Sequence, residues 1–208
     1  MWTRVCLLCC LMAQSIATMA MTDPVSELFD DWQNSAVFIN QTLDKALLQR
    51  FIARAQSVSK QNPTNAKAWA LSGQIKAFYA SQVPSIEGLK VAKQARDDLQ
   101  YALSLDPRVF PHQTYAELGY LYHNTPGWPF SFGSQTMAEK LLSKALEIDP
   151  QGLMSNLRAG EFWFDQKNYA QAQKHLQLAV DCAAAKKQDG WIEFQLIQAN
   201  QMLTKITK

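Results

Sequence analysis

The side chains with enough intrinsic reactivity to suggest chemistry are three histidines, four cysteines and one loop serine. Metal binding by histidine needs a second ligand at close helical or turn spacing, as in H-E-x-x-H. His112, His123 and His175 stand 11 and 52 residues apart, so no two of them make such a motif, and each reads as a surface or groove residue. Ser131 lies in PFSFG, where Pro129 takes the place of the first glycine of G-x-S-x-G, so no nucleophile elbow forms around it. A glycine-rich phosphate loop and paired zinc cysteines are likewise missing. Cys6, Cys9 and Cys10 belong to an amino-terminal apolar run, which leaves Cys182 without an internal disulfide partner. It reads as a small apolar residue packed near a helix end. The expectation is a non-enzymatic protein with no catalytic residue, metal or cofactor.

Binding is then the function to look for, and composition narrows the partner. The 208 residues are 48% hydrophobic, enough for a sizeable core, and 20 basic against 18 acidic residues leave a net charge of +2. Nothing in that balance makes the basic face that nucleic acid requires, so nucleic acid is not expected as a partner. The chain opens with Arg4, the apolar run Val5 to Ala13 and a small-residue stretch ending at Ala20. That layout is a secretory signal peptide, with cleavage after Ala20 preferred to cleavage after Ala17. The run is about half the roughly 20 residues that span a bilayer, so no membrane span is expected after cleavage. The expected address is a bacterial periplasm, with secretion as the lesser option. The triplet Asn40-Gln41-Thr42 fits a glycosylation acceptor by type, but Asn40 reads as a helix-start residue.

The elements that must position a binding surface emerge from self-comparison. Ala95, Leu99, Ala102 and Pro107 have the same four, three and five spacings as Ala138, Leu142, Ala145 and Pro150. Ala172, Leu176, Ala179 and Ala184 repeat them with alanine at the last place. Upstream of each quartet lies a helical stretch with a central glycine, Gly73, Gly119 or Gly160, and a large or polar residue four positions earlier: Trp69, Tyr115 or Asn156. Each unit is expected to be a helical hairpin in which small residues let two helices approach.

This pattern resembles the tetratricopeptide repeat, most closely in YAELGYLY, which supplies Tyr115, Leu118, Gly119 and Tyr122 at the family's places. The third unit has the family's spacing, with 12 residues from Gly160 to Ala172; the second has 19 and the first 22, insertions of seven and ten assigned to the turn inside each hairpin. The second half, through PGWPFSFG, DPQGL and GEFWFDQKNYAQA, is also similar to exported bacterial tetratricopeptide proteins that include the T component associated with TRAP-type periplasmic transporters. The resemblance implies an all-α fold: antiparallel helical hairpins stacked as a right-handed solenoid. Its parts are the signal peptide (1–20), a degenerate amino-terminal helical pair (21–63), three repeats (64–189) and a capping helix (190–208) whose apolar stripe holds Trp191, Phe194, Leu196, Ile197 and Leu203.

In that family the first helix of each pair lines a concave groove. Carried onto this chain, the groove residues are Lys67, Gln74, Phe78, Gln113, Tyr120, His123, Asn124, Glu161, Phe164 and Asp165. Gln74, Tyr120 and Glu161 stand where carboxylate-clamping members have asparagine, so the expected ligand is an apolar peptide or helix rather than an acidic tail. The loop between the two helices of the second unit carries Trp128, Phe130 and Phe132, with Pro126 and Pro129 barring helix continuation. Two readings stand: the rings fold back as local core, the preferred one, or they serve as rigid anchors beside a binding cleft. The expected function is a protein-binding adaptor or scaffold, with binding of a small apolar ligand as a transporter accessory as the alternative.

Overall fold

A computed structural model of the chain describes residues 23–39, 44–186 and 189–207. The signal-peptide reading, its three cysteines and Asn40 lie outside those residues. Every helix or strand element described is a helix: α1 (Pro24–Gln33), α2 (Ala36–Ile39), α3 (Lys45–Gln61), α4 (Ala66–Gln82), α5 (Ile86–Leu105), α6 (Pro111–Asn124), α7 (Gln135–Ile148), α8 (Leu153–Asp165), α9 (Tyr169–Ala184) and α10 (Gly190–Ile206). Most begin at a residue whose side chain accepts a backbone N–H of the first turn: Asp23, Asp44, Asn65, Ser85, Ser134, Asn168 and Asp189. These groups satisfy donors that a helix start leaves free.

Helices α4 and α5, α6 and α7, and α8 and α9 pack as three hairpins, and the first helices touch in sequence, α4 on α6 and α6 on α8. The seam inside each hairpin is the same. A methyl group at Gly73 would fall 2.5 Å from Leu99 Cγ, one at Gly119 2.7 Å from Leu142 Cγ, and one at Gly160 2.6 Å from Leu176 Cγ. The glycine is therefore the seat for the leucine of the partner helix, and the flanking alanines Ala95, Ala138 and Ala172 are fully buried against it. In the first and third hairpins the residue four before the glycine also repeats a role. Trp69 Nε1 donates to the carbonyl of Pro63 at 3.0 Å, and Asn156 Nδ2 to that of Pro150 at 2.9 Å, tying these two hairpins to the proline that ends the preceding unit.

The two insertions are not spent alike. In the second hairpin all seven extra residues enter the connection 125–134. In the first, the connection stays at three residues, Val83 to Ser85, as short as the one between α8 and α9. Four of the ten residues lengthen α4 after its glycine and six lengthen α5 before its first alanine. The expectation that both insertions form turns is corrected here: Pro84 lies in the short turn, and the rest continues the helices. The first hairpin thus overhangs the end of α6 by about four residues, roughly 6 Å of helix.

The remaining helices close the molecule in a way the repeat does not indicate. Helix α1 packs on α3 and touches α4, and α10 packs on α9 and on α2. Trp32 of α1 and Phe38 of α2 meet Phe51, Phe78, Trp191 and Phe194 in one aromatic cluster, with Trp32 and Phe38 only 3% and 2% exposed.

Candidate functional site

Phe78, expected on an open groove, is buried within that cluster, 5.5 Å from Trp32 and 5.2 Å from Phe38 by ring centroids. Its place is corrected from partner contact to core, because α1, α2 and the start of α10 lie on this part of the face. Gln74 and Gln113 border a small gap among Phe29, Trp32, Met154 and Trp191, with room for about one water molecule. Lys67 is exposed at the start of α4.

Farther along the same face, Arg158 of α8 sits between two carboxylates. Its Nη2 donates to Glu117 Oε1 at 3.0 Å, its Nη1 to Glu161 Oε2 at 2.9 Å, and its guanidinium carbon lies 3.9 Å from the Tyr120 ring centre. The Arg158 and Glu117 side chains are 7% and 6% exposed, so water does little to screen them. Burial works against the Arg158 charge, yet Glu117 and Glu161 outweigh it and raise its pKa. Burial lifts the Glu161 carboxyl above its usual range, against the pull of Arg158, and pushes the Tyr120 phenol up to about 12. The group is a positioning device: the guanidinium, fixed by its two carboxylates, backs the Tyr120 ring.

Tyr120 forms one wall of a cleft of about 530 Å³, which opens between the overhanging ends of α4 and α5 and the end of α6. Ala77, Ala80, Val83 and Leu121 supply apolar walls, while Ser81 and Asn124 add a hydroxyl and an amide. The volume is within the range of small-molecule and peptide-side-chain pockets. Of the residues expected from the sequence, Tyr120 and Asn124 line it. The overhang that makes it was missed, although the insertion lengths carried the signal.

The other expected residues fall beside this cleft or away from it. His123 Nδ1 lies 2.8 Å from Gln135 Oε1 and its Nε2 2.8 Å from Asp165 Oδ2, which links the ends of α6, α7 and α8. Phe164 packs against Tyr169, 5.6 Å between centroids. Burial lowers the pKa of His112 and of His175, whose Nδ1 faces Asn156. Cys182 is half-buried against the cluster between α9 and α10. No group of three metal-ligating side chains occurs among the described residues.

Loop 125–134 holds a fixed shape. Phe130 and Ser131 both donate their N–H to the Gly127 carbonyl, Gly133 donates to Pro126 at 2.9 Å, and Ser134 to Tyr122 at 2.9 Å. Gly133 is required because a methyl group there would lie 1.9 Å from the Thr125 oxygen. The preferred expectation, that all three rings form local core, is corrected: Trp128 is 90% exposed and Phe130 75%. Phe132 alone folds back, edge-on to Tyr122 at 5.2 Å and with Arg96 stacked 4.5 Å over its ring. It takes the available apolar ground, and the other two rings are held out. Phe132→Ala is accordingly expected to cost about 2 kcal/mol, less than a fully buried phenylalanine. Trp128→Ala should change stability by no more than about 0.5 kcal/mol. Thermal melts of the two variants check this, and equal losses would mean that Trp128 packs as well.

The chain matches no protein-family model. No curated protein matches it either.

Proposed function

We propose that the chain is a non-catalytic, exported binding protein of tetratricopeptide-like architecture, a right-handed array of hairpins that takes a short apolar segment of another protein in the cleft beside Tyr120. The observation that carries the reading is the cleft itself: about 530 Å³ with apolar walls and polar side chains, Ser81 and Asn124 among them, at its border, on a scaffold whose small-residue seams repeat three times. Support for the architecture comes from the three glycine–leucine seams and the contact of successive first helices. Export rests on the amino-terminal composition.

The polar groups suit a peptide. Ser81 and Asn124 stand on opposite walls; Ser81 Oγ donates to the Phe78 carbonyl and Asn124 Nδ2 to that of Tyr120, which leaves the Ser81 lone pairs and the rest of the Asn124 amide for the backbone of an extended segment, while Tyr120 and Leu121 meet its side chain. A second reading, one small apolar ligand held for a transporter, draws on the same volume.

One experiment addresses both. Tryptophan placed at either wall, Ser81→Trp or Asn124→Trp, fills the cleft from an exposed position without replacing a core residue. The expected result is at least a tenfold loss of captured partner from periplasmic extract relative to wild type, with the melting temperature unchanged. Capture that persists in both variants sinks the cleft as the binding site. An apolar mass carried by the intact wild-type protein in native mass spectrometry, and lost in both variants, would move the reading to the small ligand.

A further inference from the structure

The two exposed rings of the loop have a neighbour across the cleft. Ile86, the first residue of α5, is 90% exposed, and it lines the same cleft as Pro126, two residues before Trp128. Ile86 and the Trp128–Phe130 tip therefore flank one edge of the molecule, the edge of the turns inside the first two hairpins. Neither folds onto its own hairpin. The loop's backbone bonds and the Phe132 anchor set the course of the tip, so docking these rings has little backbone left to order.

Behind Ile86, on the same face of α5, Lys90 and Lys93 follow at four and seven residues, both exposed. Along the helix axis they stand about 6 and 10 Å behind the apolar edge. Glu87, beside Ile86, pairs with Lys45 at 2.7 Å, and Asp97, farther along the same face, pairs with Arg96 at 2.6 Å, which leaves Lys90 and Lys93 as the charges of this face without an ion-pair partner. The nearer cation falls within the headgroup layer of a bilayer, roughly 5–8 Å deep outside the hydrocarbon, and the farther one can reach back to it along its flexible stem. Tryptophan and phenylalanine favour that boundary, and lysine reaches from it to phosphate.

We propose that this edge docks on the surface of an anionic phospholipid bilayer, with Trp128, Phe130 and Ile86 entering the headgroup–acyl boundary and Lys90 and Lys93 meeting lipid phosphate. The contact is with a surface and not a span, since no described helix is long and apolar enough to cross a membrane. A bilayer fits better than a protein partner because exposed apolar residues at the edge are followed by lysines behind them, the order in which the acyl boundary and the phosphate layer are met.

The test is flotation of the full chain with vesicles of phosphatidylcholine and phosphatidylglycerol in equal parts, compared with pure phosphatidylcholine. Every variant keeps the same amino terminus, so differences report this edge. Trp128→Ser with Phe130→Ser is expected to lower the bound fraction more than tenfold on the anionic vesicles. Lys90→Glu with Lys93→Glu should lower it about tenfold on the anionic vesicles and hardly change it on the neutral ones. Added salt should weaken wild-type binding. Ser81→Trp, which blocks the cleft, should float like wild type, so a failed cleft and a failed membrane edge are told apart. Equal flotation of wild type and the Trp128/Phe130 variant overturns the proposal. So does loss of partner capture in that variant with flotation unchanged, which would give the tip to a protein. Circular dichroism on each variant confirms the fold, and all five positions are exposed.

Discussion

Trp32→Ala is expected to lower the stability of the folded chain by about 3 to 5 kcal/mol, the range for deleting a buried large aromatic side chain. The indole joins four helices beyond its own through rings at 4.8 Å (Phe38), 5.1 Å (Phe51), 5.5 Å (Phe78) and 6.4 Å (Trp191). Its removal empties a site that these rings cannot close together, since each is fixed by its own helix. For a chain of this length the corresponding fall in melting temperature is on the order of 10 °C. Trp32→Phe, which keeps a ring in the site, should lose less than half as much. Urea denaturation of both variants measures the difference. A loss under about 1 kcal/mol for Trp32→Ala would mean that α1 and α2 are not part of the cooperative unit, and the face of α4 would then be open to a partner.

That cluster also marks the boundary of what the sequence discloses. The hairpins were legible because their contacts are set by small residues at fixed spacing: Gly73, Gly119 and Gly160 against Leu99, Leu142 and Leu176. Such positions depend on local pattern, which one chain repeats three times. Which helix covers the face of α4 and α6 does not depend on local pattern. It follows from Trp32 and Phe38 meeting Trp191 and Phe194 more than 150 residues away. Phe78 therefore looked accessible and is core.

The insertions teach a narrower lesson. Pro126 and Pro129 do break the chain, because neither residue before them can stay helical. The insertion of the first hairpin reads as a turn in the same way, yet α5 begins at Ile86 and carries Gly88 within its first turn. A side chain there would meet the Val83 carbonyl at 1.8 Å, so this glycine permits a tight turn rather than a long loop. The cleft follows from that difference. Residue type was equally indecisive for the aromatic loop. Apolar character favours burial, but burial needs a neighbour with free apolar surface, and only Phe132 reaches one.

Arg158 gives the other large effect. Arg158→Met keeps much of the volume but leaves Glu117 and Glu161 buried without their counter-charge, and a loss of about 3 to 5 kcal/mol near neutral pH is expected. The pH dependence identifies the cause. Burial already raises the folded-state pKa of Glu161 above its unfolded value, with Arg158 working to lower it. A carboxyl raised in this way contributes stability that is full below its unfolded pKa and is lost as pH rises through its folded pKa. Without Arg158 the rise is greater, so the variant should be weakest near neutrality and should approach wild type on acidification, where Glu161 holds its proton. Denaturation curves at about pH 7 and about pH 4 span that change. Replacing all three charges, Arg158→Met with Glu117→Leu and Glu161→Gln, should recover most of the loss, because the cost lies in unpaired buried charge and not in the missing pair. A small loss that does not vary with pH would mean that water reaches these carboxylates. Tyr120 rests on the Arg158 guanidinium, so the single variant should also loosen one wall of the cleft. The triple variant restores stability without restoring that support. Partner capture should therefore stay low in the triple variant although its stability returns, which separates the role of Arg158 in holding Tyr120 from its role in holding the fold.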